Sequence, residues 1–169
     1  MPRFVNVGGI TKTDLLAKLN ESGVRLNALA QDVFYSARFT TAPSAYRVDI
    51  VGTTVAGLGL LGGGTYAQVL RRAHVQGLAV RPLELAPHLR MQWSDQPESL
   101  AAHTPEKNCA PPDSITVASV APLDEQDIPW GFYLRRLEGT AWLRGYRSWS
   151  GHVWSSSDCF AFILSSNAA

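Results

Sequence analysis

The chain has 169 residues, of which 46% are apolar and 17% are charged, and its formal net charge is +1. This apolar content is enough for a hydrophobic core, which excludes a wholly disordered chain. No apolar run approaches the roughly 18 residues of a membrane span, and no secretory signal pattern opens the sequence. Two cysteines do not make a disulfide framework, so we expect a cytoplasmic protein.

Two short helical patterns open the chain. The first runs from Thr11 to Gly23 with a stripe of leucines, and the second spaces apolar residues at helical intervals from Leu26 to Phe34. We predict a helical hairpin over residues 1–45, followed by a single α+β domain over residues 46–169. That domain begins with a half-buried strand at 46–51, where apolar and charged residues alternate.

Glycines are concentrated in the segment Gly57–Gly64, which formally matches G-x-G-x-x-G. Thr65 and Gln68 follow with the spacing of a capping box, which predicts a helix start. In a dinucleotide site such glycines let a pyrophosphate approach a helix N-terminus, and a later acid, here Glu84, binds the ribose. The chain lacks the strand–helix alternation of that fold, and Pro82 lies where a parallel strand needs a donor. A flexible turn is therefore favoured, with a nucleotide-binding domain as an alternative.

Polar residues cluster between Pro82 and Asp95, where prolines argue against a long helix. Arg90 offers a planar fork for a carboxylate or a phosphate, and we expect it to pair with Glu84 or Asp95. A carboxylate here is able to act as a general base, and His88 titrates near neutrality. The candidate catalytic residues are Glu84, His88 and Asp95, and the candidate ligand-binding residues of this segment are Arg90, Gln92 and Trp93.

Negative charge is concentrated in a later segment. Between residues 94 and 128, seven acidic residues accompany a single base, Lys107. The part from 97 to 113 also contains four prolines and almost no apolar periodicity. Such composition is typical of solvated segments, so we predict an acidic, proline-rich surface loop at 97–113, with an acidic lid or a cation site as the alternative.

Strand patterns dominate the C-terminal half. They occur at 114–121, 132–137, 140–146 and 159–164, with no regular helix between the last three. We therefore predict an α+β fold with short N-terminal helices, one central helix and a mainly antiparallel C-terminal sheet. In the last run we expect Phe160, Phe162 and Leu164 to face a core shared with a helix.

The predicted hairpin at Glu138–Gly139 allows two registers. A two-residue turn places arginines and aromatic residues together on one face, which would suit a sugar, a base or a protein. A three-residue turn with Gly139 in the left-handed region instead buries Trp142 with Phe132. Both registers remain open, and the candidate ligand-binding residues are Trp142, Arg144 and Tyr146.

Several classes of site and partner are disfavoured. The four histidines and two cysteines have no metal-ligand spacing, so we predict no metal site, and we expect no cofactor. The near-neutral net charge argues against nucleic acid, because proteins that bind it usually carry a large positive excess. We expect a small molecule or a protein as the partner, and no membrane.

The segment from Gly64 to Pro97 resembles a recurrent part of small bacterial proteins without a known activity. Their pattern is L-x-P-x-E-x-x-P-x-L-R-x-Q followed by DQP, and a strand hairpin with aromatic elements comes after it. The matching positions here are Pro82, Glu84, Pro87, Leu89, Arg90, Gln92, Asp95, Gln96 and Pro97, then Trp142, Trp154, Phe160 and Phe162. The resemblance implies a bacterial or phage-like source and a cytoplasmic location, and it implies no activity.

Three functional hypotheses follow from these residues. The first is a non-catalytic intracellular binding or interaction module with a pocket between residues 84–95 and the C-terminal sheet. The second is a small hydrolase-like enzyme that uses Glu84 or Asp95 as the base and Arg90 as an anion clamp. The third is a nucleotide-binding domain that uses Gly57–Gly64. Convergence of Glu84, Arg90 and Asp95 in one cleft would favour the enzyme.

Overall fold

A computed structural model of the protein describes residues 1–99, 110–123 and 128–165, and within these ranges the fold is α+β. The helices are α1 (Lys12–Glu21), α2 (Ala28–Tyr35), α3 (Tyr66–Val75) and α4 (Leu85–Gln92). The first five strands are β1 (Phe4–Val7), β2 (Arg25–Leu26), β3 (Tyr46–Thr54), β4 (Gly64–Thr65) and β5 (Leu78–Ala79). The others are β6 (Ile115–Val117), β7 (Gly131–Leu137), β8 (Thr140–Tyr146), β9 (Val153–Trp154) and β10 (Cys159–Leu164).

The main sheet has the strand order β1-β3-β10-β6-β7-β8-β2, and β5 also pairs with β10. Most neighbours are antiparallel, whereas β10 with β6 and β2 with β8 are parallel. A separate antiparallel pair is formed by β4 and β9. The predicted α+β class with a mainly antiparallel sheet is therefore confirmed.

Strand β10 lies at the centre of the sheet and is buried on both faces. Ala161 and Ile163 belong to a core cluster that includes residues of α1, α2 and α4, while Phe160 and Phe162 belong to a second cluster with residues of α3. Burial on both faces explains why this strand is a continuous apolar run instead of an alternating one. The expectation for Leu164 is wrong: this residue ends the strand and is 48% exposed.

The N-terminal residues join the same sheet. β1 pairs with β3, and β2 pairs with β8. The predicted boundary after residue 45 therefore falls directly before β3, the strand beside which residues 4–7 form the edge of the sheet. Half-buried β3 behaves as its alternation predicts, with Val48 and Ile50 buried and the alternating charged residues, Arg47 and Asp49, exposed.

Helix α2 is tied to β8 through one side chain. Asn27 Oδ1 accepts hydrogen bonds from Ala30 N at 2.9 Å, which caps the helix, and from Gly145 N at 2.8 Å. Asn27 Nδ2 donates to Gly145 O at 3.1 Å. The side-chain amide of Asn27 therefore satisfies the backbone N–H and C=O of Gly145 and one backbone N–H at the start of α2.

Helix α4 occupies the proline-containing stretch. Pro87 is in the first turn, where a helix needs no backbone donor, so the ring is tolerated and the helix runs for eight residues. The predicted loop at 97–113 has its residues 100–109 outside the described part of the chain. None of the helices in the described ranges has the length and apolarity to cross a lipid bilayer.

Gly145→Ala tests the contact between α2 and β8. A Cβ at this position would lie 2.4 Å from the carbonyl carbon of Leu29 and 2.6 Å from Ala30 N, both in the helix backbone. We expect the free energy of unfolding to fall by about 1–3 kcal/mol in urea titrations, because a clash with backbone atoms cannot be relieved by rotating a side chain. Gly62→Ala is the matched control, since no atom lies within 4 Å of its added Cβ. Equal urea midpoints for both variants would contradict the contact.

Candidate functional site

The turn between β7 and β8 selects one of the two predicted registers. Glu138 and Gly139 have φ angles of 51° and 75°, and Leu137 pairs with Thr140 across a two-residue loop. Two positive φ values are the requirement of the type I′ turn, whose twist matches that of the strands it joins. The register with the two-residue turn is therefore the one that the protein adopts.

This register separates two surfaces of the hairpin. Phe132, Leu134 and Leu143 are buried in the cluster that packs on α2 and α4. Tyr133 pairs with Arg144, and Arg135 pairs with Trp142, so these four alternate onto the opposite face, where they are half-buried. The guanidinium carbon of Arg144 lies 5.1 Å from the centroid of the Trp142 ring, a cation–π distance.

A cavity of about 430 Å³ opens on that opposite face, and we call it the aromatic cavity. It lies between the hairpin, the start of α2 and the segment that follows β8. Its lining residues are Asn27, Leu29, Ala110, Pro111, Thr116, Tyr133, Arg144, Gly145, Tyr146, Arg147, Trp149, His152 and Trp154. This volume is in the range of small-molecule sites in proteins.

Four rings form a continuous row along the aromatic cavity. Tyr146 contacts Trp154 at 5.7 Å, Trp154 contacts His152 at 5.0 Å, and His152 contacts Trp149 at 5.0 Å between ring centroids. All three contacts are edge-to-face, with interplanar angles of 87°, 82° and 62°. Edge-to-face rings fix one another's orientation, so the row is a preformed wall. Trp154 is 4% exposed, while Trp149 is 51% exposed at the rim.

The glycine-rich segment holds Trp154 in place. Trp154 pairs with Gly64 in the two-stranded β4–β9 sheet, and Gly63 lies so close that an added Cβ would be 2.4 Å from Trp154 O. Gly63 also has a φ angle of 82°, which a residue with a side chain rarely adopts. The glycines at this end of the segment thus permit a backbone contact that supports the cavity wall.

The strands around Gly57–Gly64 are not arranged as in a dinucleotide-binding fold. β3, which precedes them, is antiparallel to both of its neighbours, whereas a dinucleotide fold has parallel strands. At the start of α3, Thr65 N donates to Gln68 Oε1 at 2.8 Å within the predicted capping box, so this amide already has an acceptor. The nucleotide-binding alternative therefore gains no support from the geometry.

The charges that line the aromatic cavity are positive. Arg144 and Arg147 face it, and its described lining contains no aspartate or glutamate. Burial lowers the pKa of His152, and the nearby Asp158 carboxylate opposes that shift. Asp158 lies outside the lining, where it accepts hydrogen bonds from Ala110 N at 3.0 Å and Ser155 N at 2.8 Å and so fixes the chain beside the cavity.

The polar candidates on α4 bind the backbone of neighbouring segments. Glu84 accepts hydrogen bonds from Ala42 N at 2.9 Å and from the Tyr46 hydroxyl at 3.0 Å. One turn on, His88 Nε2 accepts one from Gly8 N at 3.2 Å. A turn further, Gln92 accepts from Asn6 N at 3.1 Å and donates to Asn6 O at 2.8 Å. The spacing of four residues places all three on one helix face, where they attach α4 to β1 and to residues 42–46.

The hydrogen-bond partners of Arg90 differ from the predicted carboxylate. Its guanidinium donates to Gln96 Oε1 and to the carbonyl oxygen of Trp93, and within the described ranges no carboxylate forms an ion pair with it. Gln96 Nε2 in turn donates to Leu134 O at 3.1 Å, which connects Arg90 to β7. The expected pair with Glu84 or Asp95 is wrong, because Glu84 is engaged elsewhere and Asp95 is exposed.

The structure thus divides the candidate residues into two groups. Glu84, His88, Arg90, Gln92 and Trp93 lie on the side of the sheet that α4 covers, and exposed Asp95 does not join them in a cleft. Arg144 and Tyr146 line the aromatic cavity on the other side, next to half-buried Trp142. No group of three or more His, Cys, Asp or Glu side chains in the described ranges is placed to hold a metal ion.

The sequence predicted Trp142, Arg144 and Tyr146 as ligand-binding residues of the hairpin, but it did not predict several other residues that line the cavity. Trp149, His152 and Trp154 follow the hairpin directly, and the density of aromatic residues there was the available signal. Nothing local pointed to Asn27, which reaches the cavity only because β2 pairs with β8.

Comparisons with protein-family models, with curated proteins and with solved structures found no match to this chain. The resemblance of residues 64–97 to small bacterial proteins therefore stays a prediction.

Arg90→Met tests the buried guanidinium. Burial lowers the pKa of Arg90 to about 10, with a smaller contribution from Arg136, and the side chain is 2% exposed. The variant leaves two buried oxygens without their donor, so we expect a loss of about 1–3 kcal/mol in the free energy of unfolding. Urea titration measures this loss, and Arg71→Met on the exposed face of α3 is the control. A midpoint unchanged from the wild type would show that the two hydrogen bonds contribute nothing.

The hydrogen bond from Gly8 N to His88 predicts a pH dependence of stability. Burial lowers the pKa of His88, the Glu84 carboxylate opposes this shift, and Lys18 adds to it. The unfolded chain protonates His88 near pH 6.5, whereas the folded state protonates it only at lower pH. The free energy of unfolding is therefore highest above about pH 6.5 and decreases as the pH falls through the folded-state pKa of His88.

Urea titrations at several pH values below neutrality measure this dependence. His88→Gln keeps an acceptor without a titrating group, so we expect its stability to fall less steeply on acidification. Burial also lowers the pKa of His152, so part of the slope remains in every variant. Identical slopes for His88→Gln and the wild type would refute the role of His88.

Proposed function

We propose that this protein is a non-catalytic binding module whose site is the aromatic cavity. The observation that carries the proposal is the row of Tyr146, Trp154, His152 and Trp149 along a cavity of about 430 Å³. A fixed wall of ring edges and faces offers a large contact area to a flat apolar molecule at little entropic cost. We therefore propose a small organic molecule with a planar ring as the ligand.

The location of the cavity favours binding over catalysis. Glu84 is on the other side of the sheet, and the two carboxylate oxygens of Asp158 accept hydrogen bonds from two backbone amides. A hydrolase needs a base within hydrogen-bond reach of the substrate or of its attacking water. The described lining of the cavity offers arginines, hydroxyls and a histidine, which suit recognition better.

Trp149→Ala is the direct test of this proposal. Trp149 is 51% exposed, so its removal leaves the core intact while it takes away one end of the row. We expect two indole probes, tryptophol and indole-3-acetate, to bind the wild type in ligand-observed NMR titrations. The variant should bind them about tenfold more weakly, because stacking on one aromatic side chain contributes about 1–3 kcal/mol.

Tyr35→Ala is the matched control, since Tyr35 is an aromatic residue at 76% exposure that does not line the cavity. It should bind both probes as the wild type does. If neither probe binds, or if Trp149→Ala binds both with wild-type affinity, the aromatic cavity is not the binding site.

A further inference from the structure

We infer that the aromatic cavity takes a ligand whose planar ring carries a negatively charged group, and that Arg144 and Arg147 bind this group. The inference rests on the proposed function and adds the charge of the ligand. It follows from two features of the cavity: an excess of cationic side chains and the way Arg144 is held.

Uncompensated positive charge is the first feature. Arg144 and Arg147 line the cavity together, and the single ion pair within the described ranges joins Arg136 to Glu98 on the other face of the hairpin. Neither cavity arginine has a described carboxylate as its partner. Low-dielectric walls focus the field of such charges into a cavity, which raises the local concentration of anions.

The second feature is that Arg144 is held in place with no carboxylate of the described residues paired to its charge. Its guanidinium carbon lies over the Trp142 ring, 5.1 Å from the ring centroid, and Tyr133 pairs with Arg144 across the strands. A cation–π contact gives the N–H groups no lone-pair acceptor, and their fork matches the oxygens of a carboxylate or a phosphate. Arg147 is exposed at the rim and adds a second positive charge.

Three indole compounds that differ in charge test the inference. Indole-3-acetate is an anion, tryptophol is neutral and tryptamine is a cation at neutral pH. We expect the wild type to bind the anion about tenfold more tightly than tryptophol, and the cation most weakly. Raised salt should weaken binding of the anion and leave binding of tryptophol unchanged.

Arg147→Gln is the main variant, because the Arg147 side chain is exposed. It should weaken binding of indole-3-acetate more than binding of tryptophol, and so reduce the preference for the anion. Arg144→Gln should reduce that preference further, and Arg71→Gln on α3 should retain it.

Benzoate and phenyl phosphate distinguish the source of the charge, since either a carboxylate or a phosphate fits the fork. Tighter binding of either one than of phenol supports the inference and identifies the group. If all the probes bind alike and Trp149→Ala still weakens them, the charge assignment is wrong and the binding function stands. If no probe responds to Trp149→Ala, the function itself fails.

Discussion

The two-residue turn at Glu138 and Gly139 is the constraint on which the candidate site depends. A shift of one residue in the β7–β8 register would move the side chains of β8 to the opposite face while those of β7 stay in place, because side chains alternate along a strand. Trp142 and Arg144 would then enter the core beside Phe132, and the aromatic cavity would lose its cationic wall. Glu138 adopts a φ angle of 51°, an uncommon value for a residue with a side chain, so packing of the buried face compensates for a local cost.

The cavity is closed on either side by contacts that only glycine allows. Gly145 brings β8 against the backbone of α2, with Asn27 bridging the two, and Gly63 brings the glycine-rich segment against Trp154. The packing role in this segment belongs to Gly63, directly after the G-x-G-x-x-G match, because it lets two segments of the chain approach where a Cβ would collide. The glycine-rich segment that suggested a phosphate site therefore supports an aromatic one through Gly63 and Gly64.

The cluster of polar residues between 84 and 96 shows how a structural network can resemble an active site. Glu84, His88 and Gln92 form hydrogen bonds with backbone groups in and next to β1 and in the segment before β3. Arg90 donates to the backbone carbonyl of Trp93 and to Gln96, which in turn donates to a backbone carbonyl of β7. A small domain with many short strands has many backbone groups outside regular ladders, and buried ones need partners. Side chains with fixed hydrogen-bond roles meet that need, and they are the residue types that catalysis also uses.

Local sequence determined the elements of this protein whose cause is local. The alternation in β3, the capping box of Thr65 and Gln68 and the apolar run of β10 each predict their structure, because propensity and burial act within a few residues. The hairpin position was also predictable, whereas its register was not, since Glu138 disfavours the turn that the buried face of the hairpin favours. Tertiary structure alone decided that Asn27 meets Gly145, that Gly64 pairs with Trp154 and that Arg90 binds Gln96 instead of a carboxylate. These contacts join residues far apart in the chain, or depend on which partner the packing brings within reach, and local patterns carry no information about either.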